Sequence, residues 1–191
     1  MDLSSLYRGC RSYRRFQQDP LPDDLLRRMI DNARIASSAH NAQATRFVVV
    51  SSPKLVEAMH PLVVFASSLP RELGEPKQGE QPTAFVVVSK TVNAGDYSDV
   101  DLGLAVDAMV MTAWEAGFGS CLLGKIDIPA IRALLDIPES ETIRLVVAFG
   151  KPDHKSYLVE QGDRPSLKYY LDDNRNYYVP KRKMEEVARF L

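Results

Sequence analysis

Four short stretches of this 191-residue sequence carry side chains suited to holding a ligand. The first, RGCRSYRR, sets Arg8, Arg11, Arg14 and Arg15 around Ser12. Guanidinium forks and a hydroxyl suit a phosphate, which they hold by charge-assisted and often bidentate hydrogen bonds. On spacing alone, a solvated helix edge fits these residues equally well. The second stretch, Ser37-Ser38-Ala39-His40-Asn41-Ala42-Gln43, is small and polar. Its amides offer donor and acceptor together, as the mixed edge of a heterocycle requires; the alternative is a helix C-terminal turn capped by Ser and Asn. The third runs from Gly117 to Gly124. Its glycine spacing is not that of a dinucleotide-binding loop, and it follows a helix instead of joining a strand to one. What is left is a loop with little side-chain bulk, where backbone N–H groups can approach a flat ligand. The fourth is Val179-Pro180-Lys181-Arg182-Lys183, a second basic cluster that either converges on the same phosphate or serves solubility.

Nothing else supplies a reactive group. There is no GxSxG elbow, no paired-carboxylate signature and no Cys-His couple. The two cysteines, Cys10 and Cys121, are far apart and form no CxxC. His40, His60 and His154 lack metal-ligand spacing, so each reads as scattered, structural or solvent-facing, and no metal is expected. Phosphate-type and heterocycle-type contacts without a nucleophile are consistent with a cofactor that performs the chemistry itself. With 24 basic and 25 acidic side chains the net charge is -1, which excludes the field that would draw a whole domain onto nucleic acid or an anionic membrane. No signal-peptide core and no membrane-length apolar run is visible, so the expected location is cytoplasmic.

The elements that must position these stretches alternate between helix and strand. Residues 3–9 suit a short helix capped by Asp2 or Ser4. Pro22 and the Asp23-Asp24 pair open a second helix, with Leu25, Leu26, Met29, Ile30 and Ala33 on one face, expected to end near Ser37. Residues 47–50, 85–88 and 145–149 are continuous apolar runs, as strands covered on both faces would be. Val100 to Ala116 is apolar on nearly every side and reads as a helix buried all round, more than one domain can cover. Residues 66–82 read as a loop or a short mobile lid. The polar, aromatic stretch after Gly150 reads as an arm.

Taken in order, these segments resemble the nitroreductase family. CRSYRRF (10–16) answers its Arg-Arg-Ser-x-Arg-x-Phe start, and ASSAHNAQA (36–44) its Ala-Pro-Ser-x-x-Asn-x-Gln-Pro turn. DLGLAVDAMVMTAWEAGFGSCLLG (101–124) answers its long helix and Gly-Leu-Gly-Ser-Cys-type loop. IPESETIRLVVAFGKPDH resembles its last core strand, and KYYLDDNRNYYVPKRKM its closing basic arm. There are departures: Cys10 stands where the first arginine is usual, Ser37 and Ala44 replace prolines, and Thr45 replaces a frequent Trp.

The resemblance implies an α+β three-layer fold, its central sheet mainly antiparallel and flanked by helices, in a single domain 1–191 with 166–191 as a C-terminal arm. It also implies a homodimer built on the long helix, with FMN in a cleft between subunits. Arg11 and Ser12, with Lys181 and Arg182, would then grip the FMN phosphate or ribityl chain, and Arg14 would tune the flavin near N1 and O2. Ser38, Asn41 and Gln43 would come from the neighbouring subunit. Cys121 and Leu122 would line one ring face, while the backbone of Leu123 and Gly124 approaches N5. The implied reaction passes a hydride from NADH or NADPH through FMN to a nitroaromatic, quinone or related small acceptor. Other flavin reactions of the superfamily (dehydrogenation, dehalogenation, flavin breakdown) and a non-catalytic flavin-binding module are the alternatives.

Overall fold

The computed structural model describes residues 2–162 and 165–191. In chain order the elements are α1 Leu3–Gly9, β1 Phe16–Gln17, α2 Asp23–Arg34, β2 Thr45–Val50, α3 Pro53–Met59, α4 Arg71–Gly74, β3 Ala84–Thr91 and α5 Ser98–Glu115. They continue with β4 Gly119–Leu123, α6 Ile128–Leu135, β5 Glu141–Pro152, β6 Ser156–Glu160, β7 Tyr170–Leu171, β8 Tyr177–Lys181 and α7 Met184–Val187. Strands β2, β3, β5 and β4 lie side by side, antiparallel throughout, and β1 pairs with the end of β5. A smaller sheet of order β6-β8-β7 follows.

The central sheet is covered on both faces, which is why its strands read as continuous apolar runs. Ala84, Val86 and Val88 of β3, with Val147 and Phe149 of β5, pack among Leu25, Met29, Val106 and Met109 of α2 and α5. Phe85, Val87, Val146 and Ala148 point the other way, toward Met59 of α3 and Ile131 of α6. Alternate residues of each strand thus enter opposite layers. The α+β three-layer arrangement with an antiparallel sheet is the one expected. Asp2 caps α1, its carboxylate accepting the Ser5 N–H at 3.2 Å. Helix α2 stops at Arg34, three residues short of Ser37.

One subunit does not cover helix α5 on every side, as its excess of apolar surface implies: Leu102, Ala105, Val106, Met109 and Ala113 are enclosed, but Val100 and Leu104 are 59% and 48% exposed. The sheet and α2 cover one side of α5, and α1 reaches only part of the other. One expectation needs correction: the Gly117–Gly124 segment is not an open loop. Gly117, at φ +85°, makes the turn out of α5, and Gly119–Leu123 is strand β4, paired with β5. Its glycine serves packing within the chain, because a Cβ on Gly119 would lie 2.5 Å from the Tyr13 ring. Likewise a Cβ on Gly150, opposite it, would lie 2.7 Å from the ring of Phe16. Both glycines therefore make room for aromatic rings of the N-terminal motif.

The 66–82 segment contains α4 and is tied down at both ends. Ser68 Oγ donates to Tyr169 Oη at 2.7 Å, and Glu80 accepts two bonds from Arg175 at 2.9 and 3.3 Å.

Candidate cofactor site

The N-terminal motif crosses the edge of the sheet, where Tyr13 N–H donates to the Ser120 carbonyl at 2.8 Å. Tyr13 is buried against Trp114 of α5, ring centroids 5.3 Å apart and nearly parallel. This anchorage carries Arg14 inward, to 8% exposure. Its guanidinium carbon lies 4.4 Å from the Tyr169 ring centroid and 4.6 Å from that of Tyr177. Those two centroids are only 5.7 Å apart, too close for the rings to occupy opposite faces, so they form an angled cup. Such contacts contribute about 0.5–2 kcal/mol each. The backbone N–H of Arg14 donates to His154 Nε2 at 3.0 Å, which leaves the imidazole proton on Nδ1, 3.1 Å from the Lys155 carbonyl. Burial holds the His154 pKa down to about 4, and Arg15, Arg14 and Arg175 add to the depression.

Around this centre the guanidinium groups outnumber their partners. Arg11 is half-buried and donates Nη2 to the Tyr7 carbonyl, while Ser12 is exposed. Arg14 Nη1 reaches the Ser12 carbonyl only at 3.5 Å. The Nε atoms of Arg11, Arg14 and Arg175, and Nη1 of Arg15, are buried and have no hydrogen-bond partner among the described residues. Arg15 is 6% exposed, and burial, then Arg175, lowers its pKa. Unpaired buried donors of this charge favour an anionic or acceptor-rich ligand.

The second polar stretch lies elsewhere. Between Ser38 and Gln43 the backbone is left-handed at three non-glycine residues, His40 (φ 53°), Asn41 (54°) and Gln43 (47°). Such conformations cost on the order of 1–3 kcal/mol each and persist only where the surroundings hold them. Here Asp101 of α5, 6% exposed, accepts the Ala39 N–H at 2.9 Å, and Ser38 Oγ accepts the Gln43 N–H at 3.2 Å. Asn41 and Gln43 are exposed, and Ser38 and Gln43 line one small cavity of about 190 Å³.

The structure brings Arg11, Ser12 and Arg14 together, and separately Ser38, Asn41 and Gln43, but it does not unite the two groups. Asp101 holds the turn and Trp114 stacks on Tyr13, so roughly 20 Å of helix separates the two half-sites. On β4, Cys121 is 3% exposed and packs into the core beside α6, burial raising its pKa; Leu122 is 50% exposed. As neighbours on a strand they point to opposite faces, so Leu122 alone offers a side chain to a ligand. Leu123 is buried, and Gly124 is exposed with open space where a Cβ would stand. Lys181 and Arg182 are exposed beyond Tyr177 on β8, with Lys181 roughly 13 Å along the strand and Arg182 paired to Glu186 at 3.3 Å.

His154, Asp101, Tyr169 and Tyr177 were not legible as site residues. The paired tyrosines of KYY and NYY were the one signal, since alternate strand residues place Tyr177 inward and Tyr178 on the opposite face with Tyr157 and Tyr170. Among the described residues no His, Cys, Asp and Glu group is arranged to hold a metal, and no helix is long and apolar enough to cross a membrane.

An antiparallel sheet between helical layers, with one strained polar turn and one arginine-rich edge at opposite ends of a long helix, defines a three-layer α+β protein. Residues 7–151 match the nitroreductase family, and the chain belongs to it. It is 28% identical over 178 residues to an NADH dehydrogenase of Thermus thermophilus, covering 77% of this chain and 85% of that one. A nitroreductase family protein of Clostridium novyi superposes with a TM-score of 0.67 at 21% identity, over 98% of this chain and all of that one. An FMN-dependent nitroreductase of Clostridium difficile superposes at 0.64 with 19% identity, over 80% and 91% of the two chains.

Proposed function

We propose that this protein is an FMN-dependent oxidoreductase that passes a hydride from NADH or NADPH to a nitroaromatic, quinone or related small acceptor. It acts as a cytoplasmic homodimer of single-domain subunits, each with residues 166–191 as an arm, and shares two flavin sites between them. When bound, FMN supplies reversible hydride acceptance. The observation that carries the reading is the set of buried, unpartnered guanidinium nitrogens on Arg11 and Arg14. An anionic phosphate and an electron-rich heterocycle edge fit those donors. Arg11 and Ser12 hold the phosphate side, with Lys181 and Arg182 as the further cations, and Arg14 faces the flavin pyrimidine, where its fixed charge favours the reduced anion.

The division of these residues between two ends of α5 is what supports the dimer. In this reading two α5 helices pack antiparallel through the exposed Val100 and Leu104, which would bring the Asp101-held turn of one subunit beside the Tyr13–Arg14 end of its mate. Ser38, Asn41 and Gln43 then supply amide and hydroxyl groups across the interface, and Leu122, with the Leu123–Gly124 backbone, approaches the ring. Purified protein should be yellow, release FMN on denaturation, and bleach anaerobically with NADH or NADPH. Colourless protein without affinity for added FMN would overturn the reading.

A further inference from the structure

Arg14 has few restraints of its own. Among the described residues its side chain makes one hydrogen bond, stretched to 3.5 Å, and its Nε has no partner. The guanidinium is placed instead by the angled cup of Tyr169 and Tyr177, at 4.4 and 4.6 Å. Tyr177 is 1% exposed and fixed on β8, its ring 4.8 Å from that of His154. Tyr169 lies outside the strands, and its hydroxyl is tethered by Ser68. Arg175, from the turn between them, is clamped to Glu80. All three residues lie beyond position 151, where the family match ends.

We propose that Tyr169 and Tyr177 are positioning residues for Arg14, and that through it the C-terminal segment sets how strongly the site prefers reduced over oxidised flavin. The inference rests on Arg14 facing the flavin, as proposed above. A fixed charge stabilises a developing anion without reorganising, whereas a guanidinium free to change rotamer spreads its charge over a larger volume and discriminates less. The tether through Ser68 makes the 66–82 segment a part of the same device.

The test is a coupling measurement on FMN-loaded protein. The midpoint potential is read by dye-coupled titration and the affinity for oxidised FMN by fluorescence, in Tyr169→Leu, Arg14→Leu and the double variant. Tyr169→Leu should reduce the preference for reduced over oxidised FMN roughly three- to tenfold, about the worth of one cation–π contact, seen as a more negative potential. In the Arg14→Leu background the same substitution should change nothing, because its effect runs through Arg14. Tyr169→Phe and Ser68→Ala keep the ring and cut only its tether, so both should shift less than Tyr169→Leu. An unmoved potential in Tyr169→Leu, an equal shift with and without Arg14, or a shift in Tyr169→Phe as large as in Tyr169→Leu overturns the proposal. Wild-type protein that does not bind FMN overturns the functional reading and this inference with it; normal FMN binding with an unmoved potential overturns this one alone.

Discussion

His154 accepts the backbone N–H of Arg14 at 3.0 Å, joining the N-terminal motif to the turn two residues past the longest strand of the sheet. The bond exists only while Nε2 is unprotonated, and the burial that holds the pKa to about 4 keeps it so at neutral pH. An unfolded histidine titrates near 6.5, so between about pH 4 and 6.5 the unfolded chain holds the extra proton. Stability from this group is therefore fully present above about pH 6.5 and is lost as pH falls toward 4. The loss should amount to roughly 2–3 kcal/mol. Urea unfolding at stepped pH should show that slope in the wild type and a flatter one in His154→Gln; identical slopes would refute the assignment.

Gly119→Ala should destabilise the protein, since its new methyl would stand 2.5 Å from the ring of Tyr13, itself stacked on Trp114. Neither ring can retreat without disturbing α5, and overpacking of this kind costs on the order of 1–3 kcal/mol. Thermal unfolding measures it. Gly124→Ala, with nothing within 4 Å of the added carbon, is the control and should be close to neutral.

Arg11 and Arg14 should separate by role. Arg11→Ala removes a charge-assisted contact that acts alike on both flavin states, so it should weaken FMN binding roughly ten- to a hundredfold and leave the potential nearly unchanged. Arg14→Ala should retain more FMN but lower its potential, because charge beside the pyrimidine acts mainly on the reduced anion. FMN dissociation and dye-coupled titration on each variant decide it. The reverse pattern would mean that CRSYRRF is misassigned to the two halves of the cofactor.

Leu104→Glu should yield a folded monomer with little FMN. Leu104 is 48% exposed at the middle of the open face of α5, so a carboxylate there costs little in one chain but is desolvated in a helix pair. Light scattering with circular dichroism checks both parts. A Leu104→Glu dimer with full FMN content would place the interface elsewhere.

Much of the fold was legible because it follows from local pattern. The continuous runs at 85–88 and 145–149 are apolar because helices cover both faces of β3 and β5, whereas the like run at 47–50 proves to be the edge strand β2, where Val49 stays 39% exposed; the face of Leu25, Leu26, Met29 and Ala33 fixes how α2 packs. The order of the motifs at 10–16, 36–44 and 101–124, followed by the last core strand and the basic arm, was enough to join the chain to its family. What only the tertiary structure decided depends on contacts distant in sequence. Gly119 reads as an opening for a ligand until Tyr13 is seen to fill it. Cys121, which the resemblance set beside Leu122 on one ring face, is turned into the core where β4 pairs with β5. His154 and Tyr169 show no periodicity of their own, yet they meet Arg14 across more than a hundred residues of chain. Hydrophobic period is a local property, whereas the seat of a buried charge is fixed by whichever distant groups the fold brings to it.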